Sequence, residues 1–329
     1  MSLPPGTPNS IAHYNLLERI GHGGLGEVYR ARDTKVGRTV ALRLIRSSVF
    51  IDETERAAFS RSLTEAATLS HPNIATLFDF GEYDDRLYVA HEFVAGITLR
   101  QEMGGRPVNP RRALELAVQL ADALAEAHSR DIVHGDLRPD TLMVTGKGSA
   151  KILEFGLSKW TTGGRARTAA AKSPDSIGAD PAGVAAYLSP EQALGNVIDP
   201  RSDLFSVGSI VYEMLIGRAP FAAAMPSAAV MNVIRMSPMR ASSLNPNLPV
   251  ELDAIISRAL AKGLDDRYQS AASLAAELRS VEAVLDVRSG ETALSDLIPL
   301  DEERSNGKWI GLFVAIVIAA VVWWYLMSG

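Results

Sequence analysis

The residues Gly21-His-Gly-Gly-Leu-Gly-Glu-Val28 place Gly21, Gly23 and Gly26 ahead of Val28 in the form G-x-G-x-x-G-x-V. Glycine at this spacing lets backbone approach a phosphate closely, where a Cβ would stand in the way. The chemistry on offer is therefore phosphate binding, although the same spacing also suits an ordinary turn. A dinucleotide-binding loop needs a helix after the glycines. Here Glu27-Val-Tyr-Arg-Ala-Arg32 follows and reads as another strand. The chain has 0 Cys, which excludes disulfides, zinc–thiolate centres and thiol catalysis. Its 33 Lys and Arg against 38 Asp and Glu give a net charge of −5, without the basic excess that nucleic acid binding requires. No nucleic acid partner is expected.

Elements on both sides of the loop must hold it in place. Thr39-Val-Ala-Leu-Arg-Leu-Ile-Arg46 alternates with period two and opens with β-branched residues, which predicts a strand. Residues Arg56 to Ser70 carry Ala58, Phe59, Leu63, Ala66 and Ala67 at helical spacing. Tyr14 to Phe93 as a whole is strand-rich with that one helix. Asn109 suits a helix cap and Pro110 a first helical position, after which Leu116, Leu120, Leu124 and Ala127 form one apolar face. A second helix-rich stretch runs from Asp203 to about Leu285. Residues 157–188, rich in Gly, Ala, Thr, Ser and Pro, predict a long loop, and loops of that length are usually functional or disordered. With 329 residues, 47% hydrophobic and 22% charged, the chain has room for about two globular units.

Residues Trp309 to Met327 carry no formal charge. At about 1.5 Å per helical residue they match a bilayer core of about 30 Å. Trp309 opens the run and Trp323, Trp324 and Tyr325 close it, as an aromatic belt does. Arg304 and Lys308 flank it on the N-terminal side, which places residues 1–308 in the cytoplasm. The start of the chain has neither the charged nor the apolar region of a signal peptide.

Further motifs follow in order: Val40-Ala-Leu-Arg43, His71-Pro-Asn-Ile74, His134-Gly-Asp-Leu-Arg-Pro-Asp-Thr141, Glu154-Phe-Gly156, Ser189-Pro-Glu191, Ser202-Asp-Leu-Phe-Ser-Val-Gly208 and Asp266-Arg-Tyr268. Together they resemble the protein kinase signature set. More narrowly, they are similar to the bacterial Ser/Thr kinases that join an N-terminal kinase domain to one membrane span. The resemblance covers about residues 11–285. It implies an α+β, two-lobed kinase fold, with a β-rich N-lobe carrying the family's helix C, a helical C-lobe and a C-terminal transmembrane helix. The implied domains are a disordered tail at 1–12, a kinase-like domain at 13–285 (N-lobe 13–94, C-lobe 95–285), a linker at 286–308 and a membrane helix at 309–327. The implied location is the bacterial inner membrane, single-pass, with the kinase-like domain in the cytoplasm.

The resemblance also assigns site residues. Gly21, Gly23, Gly26, Val28, Ala41, Arg43, Glu92 and Val94 fall where the family holds nucleotide, with His91 at the gatekeeper. Asp136 falls at the position that accepts the substrate hydroxyl proton, and Arg138 at the catalytic-loop Lys. Thr141 and Glu154 fall at the two metal positions.

The departures lie on these same positions. Arg43 replaces the phosphate-binding Lys, and a planar guanidinium does not replace a compact ammonium one for one. The helix C Glu that pairs with that Lys falls at Ser62, which cannot form an ion pair; Glu65, almost a turn later, reaches Arg43 only if the helix is shifted. Glu154 extends the usual Asp by a methylene, and magnesium demands near-ideal geometry. Thr141 replaces Asn, Val184 replaces a Thr beside the catalytic Asp, and Gly135 replaces the Arg of His-Arg-Asp. Scaffold positions are kept: Glu191 with Arg267 as a buried ion pair, Asp203 as brace of the catalytic loop, and His134 with Phe155 in the apolar column. The expectation is a membrane-anchored pseudokinase, a scaffold or allosteric partner of other proteins, that binds ATP weakly with little help from magnesium. The alternatives are an active but divergent Ser/Thr kinase built on Asp136, and an interaction module that binds no nucleotide.

Overall fold

The computed structural model describes residues 7–23, 25–50, 52–157, 160 and 181–297. Strands β1 (Ser10–Ile11), β2 (Tyr14–Gly23), β3 (Gly26–Asp33), β4 (Thr39–Ile45), β5 (Leu77–Tyr83) and β6 (Arg86–Glu92) form one antiparallel sheet in the order β1-β2-β3-β4-β6-β5. Alternation decides its faces. Tyr29, Ala31, Val40, Leu42, Leu44, Tyr88 and Ala90 point one way and close over Ile11, Tyr14 and Leu16 as a buried cluster. The register sets Val28 opposite Arg43 and Arg30 opposite Ala41, and then Ala41 opposite His91. Partners in register share a face. Val28, Ala41, Arg43 and His91 therefore stand together on the opposite side of the sheet.

The expected disordered tail at residues 1–12 is ordered in its last part. Ser10–Ile11 pairs with β2, and Ile11 is only 4% exposed. An apolar side chain one turn ahead of a strand gains more by closing the sheet core than by staying in water. Residues 1–6 lie outside the described residues.

Helix α1 (Glu53–Ala66) begins where Asp52 accepts the Glu55 N–H at 2.8 Å, a little before the predicted start. It buries Phe59, Leu63 and Ala66, and Phe59 meets Trp160 edge-to-face at 4.9 Å. The helical lobe opens with β7 (Gly96–Thr98), which joins β8 (Leu142–Thr145) and β9 (Ala150–Ile152) in a small sheet. Helix α2 (Leu99–Met103) starts in a Thr98–Gln101 capping box. Helix α3 (Pro110–His128) starts as predicted, with the Asn109 side chain accepting the Arg111 N–H at 3.0 Å. The helices α4 (Pro181–Ala185), α5 (Pro190–Ala193), α6 (Pro200–Ile216), α7 (Pro226–Arg235), α8 (Ala241–Leu244) and α9 (Glu251–Ala259) follow in the lobe, and α10 (Ala271–Leu297) begins in it. Almost every residue of α6 is buried, which makes it the lobe's central helix, packed on α3 and α9.

The two lobes are tied through backbone. The Ala75 N–H donates to the Ile152 carbonyl at 2.9 Å, and the Ile152 N–H to the Asn73 carbonyl at 2.8 Å. Residues up to Glu282 form one compact unit. Helix α10 continues to Leu297, into the stretch read as linker. Residues 161–180, most of the expected long loop, and the run 309–327 lie outside the described residues. Among those described, no helix is long and apolar enough to cross a membrane.

Candidate active site

The segment around Asp136 is held from several sides. Asp203, on α6 and 1% exposed, accepts the N–H of His134 at 2.8 Å and of Gly135 at 2.7 Å. His128, at the end of α3, donates Nε2–H to the same carboxylate at 2.8 Å. Burial pushes the Asp203 carboxyl up, but the His128 hydrogen bond and the nearby His134 outweigh it and hold the group below the usual range. Gly135 has φ +72°, a left-handed conformation that costs glycine nothing. The Gln192 amide donates to the Gly135 carbonyl at 2.6 Å. The His134 ring donates to the Leu153 carbonyl at 2.8 Å and meets Phe155 edge-to-face at 4.8 Å, as the apolar column requires. Asp136 is buried on this frame, with Arg138 Nε 3.4 Å from its Oδ1. Val184 and Asp136 line one small recess together with Tyr187, which puts an apolar methyl where the family pattern has a hydroxyl.

Arg43 and Glu154 find each other. The Arg43 guanidinium, on the cleft face of β4, donates Nη2–H to Glu154 Oε1. Glu154 has φ +67°, a left-handed conformation that costs a non-glycine residue free energy and turns its side chain into the cleft. Burial would raise the Glu154 carboxyl, yet Arg43 first and Arg138 second outweigh it and hold it below the usual range. Ser62 has no charge to offer Arg43. Glu65 is exposed and does not reach Arg43, so this second candidate partner is ruled out. The carboxylate that Arg43 lacks on α1 is supplied by Glu154 instead.

This pairing decides the metal positions. The Glu154 carboxylate is engaged by a guanidinium. The Thr141 hydroxyl accepts the Arg138 N–H at 3.2 Å and lies 3.0 Å from the Arg138 carbonyl and 3.2 Å from that of Asp136. Its O–H and one of its two lone pairs are used within its own loop. No group of three or more His, Asp or Glu side chains among the described residues is arranged to hold a metal ion. The sequence places Thr141 and Glu154 at metal positions; in this arrangement they do not fit magnesium.

The nucleotide positions fit better. Val28 and Ala41 are half-buried on the cleft face, and Val94 is 9% exposed at the lobe junction. A Cβ on Gly21 would meet only Val28, at 3.9 Å, so this end of the glycine loop has room. Gly26 has a different reason to be glycine: a Cβ there would lie 1.8 Å from the Leu44 carbonyl oxygen. Gly23 ends β2 opposite Gly26. The Glu92 side chain is not a nucleotide ligand. It pairs with Lys151 at 2.8 Å and accepts the Thr76 N–H at 3.3 Å, so it clamps the lobes. His91 is 9% exposed, and its Nε2 has no hydrogen-bond partner among the described residues. Burial, then the Arg43 charge, push its pKa down to about 4, so the ring is neutral.

Three supporting residues were not singled out from sequence. His128 was invisible because its partner Asp203 lies on another helix. Lys151 was invisible because its partner Glu92 lies on β6, 59 positions away in the other lobe. Gln192 carried a signal: with Ser189 it forms the S-x-x-Q capping box, and its Oε1 accepts the Ser189 N–H at 2.9 Å.

The comparisons with known proteins agree with this frame. The protein kinase domain family matches residues 14–278. A probable serine/threonine-protein kinase of Streptomyces coelicolor is 38% identical over 279 residues, covering 83% of this chain and 40% of the relative. Serine/threonine-protein kinase PknB of Mycobacterium tuberculosis is 34% identical over 308 residues, covering 91% of this chain and 47% of the relative. The chain thus spans less than half the length of these curated relatives. The crystal structure of the Mycobacterium tuberculosis PknI kinase domain superposes with a TM-score of 0.65 at 25% identity, covering 84% of this chain and 99% of that one. With its two lobes, its Asp203-braced loop and these matches, the chain belongs to the protein kinase domain family.

Proposed function

We propose that this chain is a membrane-anchored pseudokinase at the bacterial inner membrane, which acts on other proteins by binding them as a scaffold or allosteric partner. Residues 309–327 are its anchor, the kinase-fold unit is cytoplasmic, and nucleotide binding is weak. The observation that carries the reading is the Arg43–Glu154 pair. Phosphoryl transfer depends on positioning and on charge stabilisation by a Lys–Glu pair and bound metal. Here the cation at the Lys position and the carboxylate at the metal position neutralise each other. The Thr141 hydroxyl is hydrogen-bonded within its own loop as well.

The second reading is an active, divergent Ser/Thr kinase. It is favoured by Asp136, which keeps its place on a braced loop, and by relatives named as Ser/Thr kinases. Radiolabelled ATP with a generic basic protein separates the two, run beside Asp136→Asn. No incorporation above the Asp136→Asn level supports the pseudokinase. Incorporation that Asp136→Asn abolishes installs the kinase. Membrane attachment is tested by fractionation: sedimentation with membranes until detergent is added supports the anchor, and full-length chain in the soluble fraction overturns it.

A further inference from the structure

We infer that the cleft takes its nucleotide without magnesium, with Arg43 standing where the metal's positive charge would otherwise sit. The inference rests on reading the cleft as a nucleotide site and deepens that reading. A metal-bearing nucleotide brings a divalent cation to the Glu154 carboxylate. That carboxylate already has the Arg43 guanidinium on Oε1, and Arg138 acts on it from the other side of the cleft. A cation arriving there meets two fixed positive charges, and like charges at contact distance in a half-buried site repel strongly. The second metal position offers no compensation, because the Thr141 hydroxyl is hydrogen-bonded within its own loop.

A polyphosphate without its metal meets the opposite situation. A guanidinium carries five N–H donors in a planar fork, and Arg43 uses Nη2 on Glu154. Phosphate oxygens can accept from the remainder, and Gly21 leaves backbone room for them. On the adenosine side the half-buried Val28 and Ala41 supply an apolar face that does not depend on metal. The bound anion and Glu154 then compete for one guanidinium, which keeps affinity low.

The test is nucleotide affinity of the purified 329-residue chain in mild detergent, measured with a fluorescent ATP analogue in EDTA and in excess magnesium. The expected result is binding in EDTA at least as tight as in magnesium. Tightening of more than about tenfold on adding magnesium overturns the inference. Arg43→Gln is expected to lose about tenfold in EDTA and to gain a response to magnesium as Glu154 is released. Unchanged binding of Arg43→Gln in EDTA overturns the inference too. Should Arg43→Gln melt early, the double variant Arg43→Lys with Glu154→Asp shortens both side chains, so that the cation no longer reaches the carboxylate. It is expected to become magnesium-dependent, and wild-type behaviour of the double variant counts against the inference. Absence of nucleotide binding in both buffers overturns this inference and leaves the binding-protein reading intact. Asp136-dependent phosphotransfer by the same samples overturns that reading and leaves the magnesium comparison to decide this one.

Discussion

Gly156 approaches Ser62 across the two lobes so closely that a Cβ on Gly156 would lie 2.9 Å from the Ser62 carbonyl oxygen and 2.8 Å from the Ala66 Cβ. The contact seats the segment after Phe155 against α1, and Gly156 also has φ +81°. Gly156→Ala therefore meets both a conformational and a steric penalty. Gly105 is the matched control, with φ +72° and nothing within 4 Å of the added Cβ. Denaturant unfolding is expected to show Gly105→Ala costing about 1 kcal/mol and Gly156→Ala about 2–3 kcal/mol. Equal costs for the two would show that the α1 contact contributes nothing.

Arg267 and Glu191 pair in the helical lobe as their motif positions predict, with Nη1 at 2.9 Å and Nη2 at 3.2 Å from the two carboxylate oxygens. The Arg267 side chain is fully buried, and Nη1 also donates to the Arg201 carbonyl at 2.7 Å. Arg267→Ala leaves the Glu191 carboxylate buried without its cation, which is expected to cost about 3–5 kcal/mol. Arg111→Ala removes an exposed charge whose Glu115 partner lies at the surface, so its effect is expected within about 0.5 kcal/mol. The comparison is made by urea midpoint. Similar, small shifts would mean the buried pair is not a stability element.

His91 makes the stability of the domain depend on pH in a defined window. Its ring is buried beside Arg43 and Glu154, and its pKa falls from 6.5 to about 4 in the folded chain. Between those values the unfolded chain binds a proton that the folded chain refuses. Stability is therefore full above pH 6.5 and falls as the pH drops toward about 4, by up to about 3 kcal/mol at roughly 1.4 kcal/mol per pH unit. The depressed carboxylates Asp203, Glu154 and Glu191 act at lower pH, since each loses its contribution only as pH falls through a value below its ordinary one. His91→Leu is expected to flatten the slope between pH 6.5 and 4.5. Parallel slopes for wild type and His91→Leu would place the proton elsewhere.

Local pattern was enough to place Arg43. Alternation in Thr39–Ile45 names the strand and sets Ala41 and Arg43 on one face. Asn109-Pro110 likewise announces α3, and the spaced motifs locate Asp136, Asp203, Glu191 and Arg267. What sequence could not show is where a long side chain goes once its ordinary partner is gone. Arg43 and Glu154 are 111 positions apart, and nothing local records that they meet. Spacing alone offered Glu65, but packing of Phe59, Leu63 and Ala66 into the core turns Glu65 to solvent. Gln192 shows a mixed case: its cap is readable from Ser189, while its contact with Gly135, 57 positions away, is tertiary. Ile11 was hidden in a Pro- and Gly-rich context that masks a single apolar residue able to extend a sheet.

The last prediction concerns recovery of phosphotransfer. Because the substituted parts act as one unit, single reversions are expected to leave activity at the Asp136→Asn background. Arg43→Lys alone still lacks an acidic partner at Ser62, and its ammonium would turn to Glu154 as the guanidinium does. Glu154→Asp alone still faces Arg43 on one side and the loop-bound Thr141 on the other. Ser62→Glu alone places a carboxylate beside the Gly156 contact with Glu154 already on Arg43. The combined set Arg43→Lys, Ser62→Glu, Thr141→Asn, Glu154→Asp and Val184→Thr restores every departed position near Asp136 except Gly135 and Arg138. Asp136 and its Asp203 brace are already in place to receive them. Losing one preorganised charge contributor typically costs about 10²–10³ in rate, so restoring the set should lift incorporation well above background. The measurement is radiolabelled phosphate transferred to a generic basic protein, with Asp136→Asn built into the combined variant as its control. A single reversion that restores Asp136-dependent transfer would show that the site is one substitution from activity and that the Arg43–Glu154 pair is not what silences it.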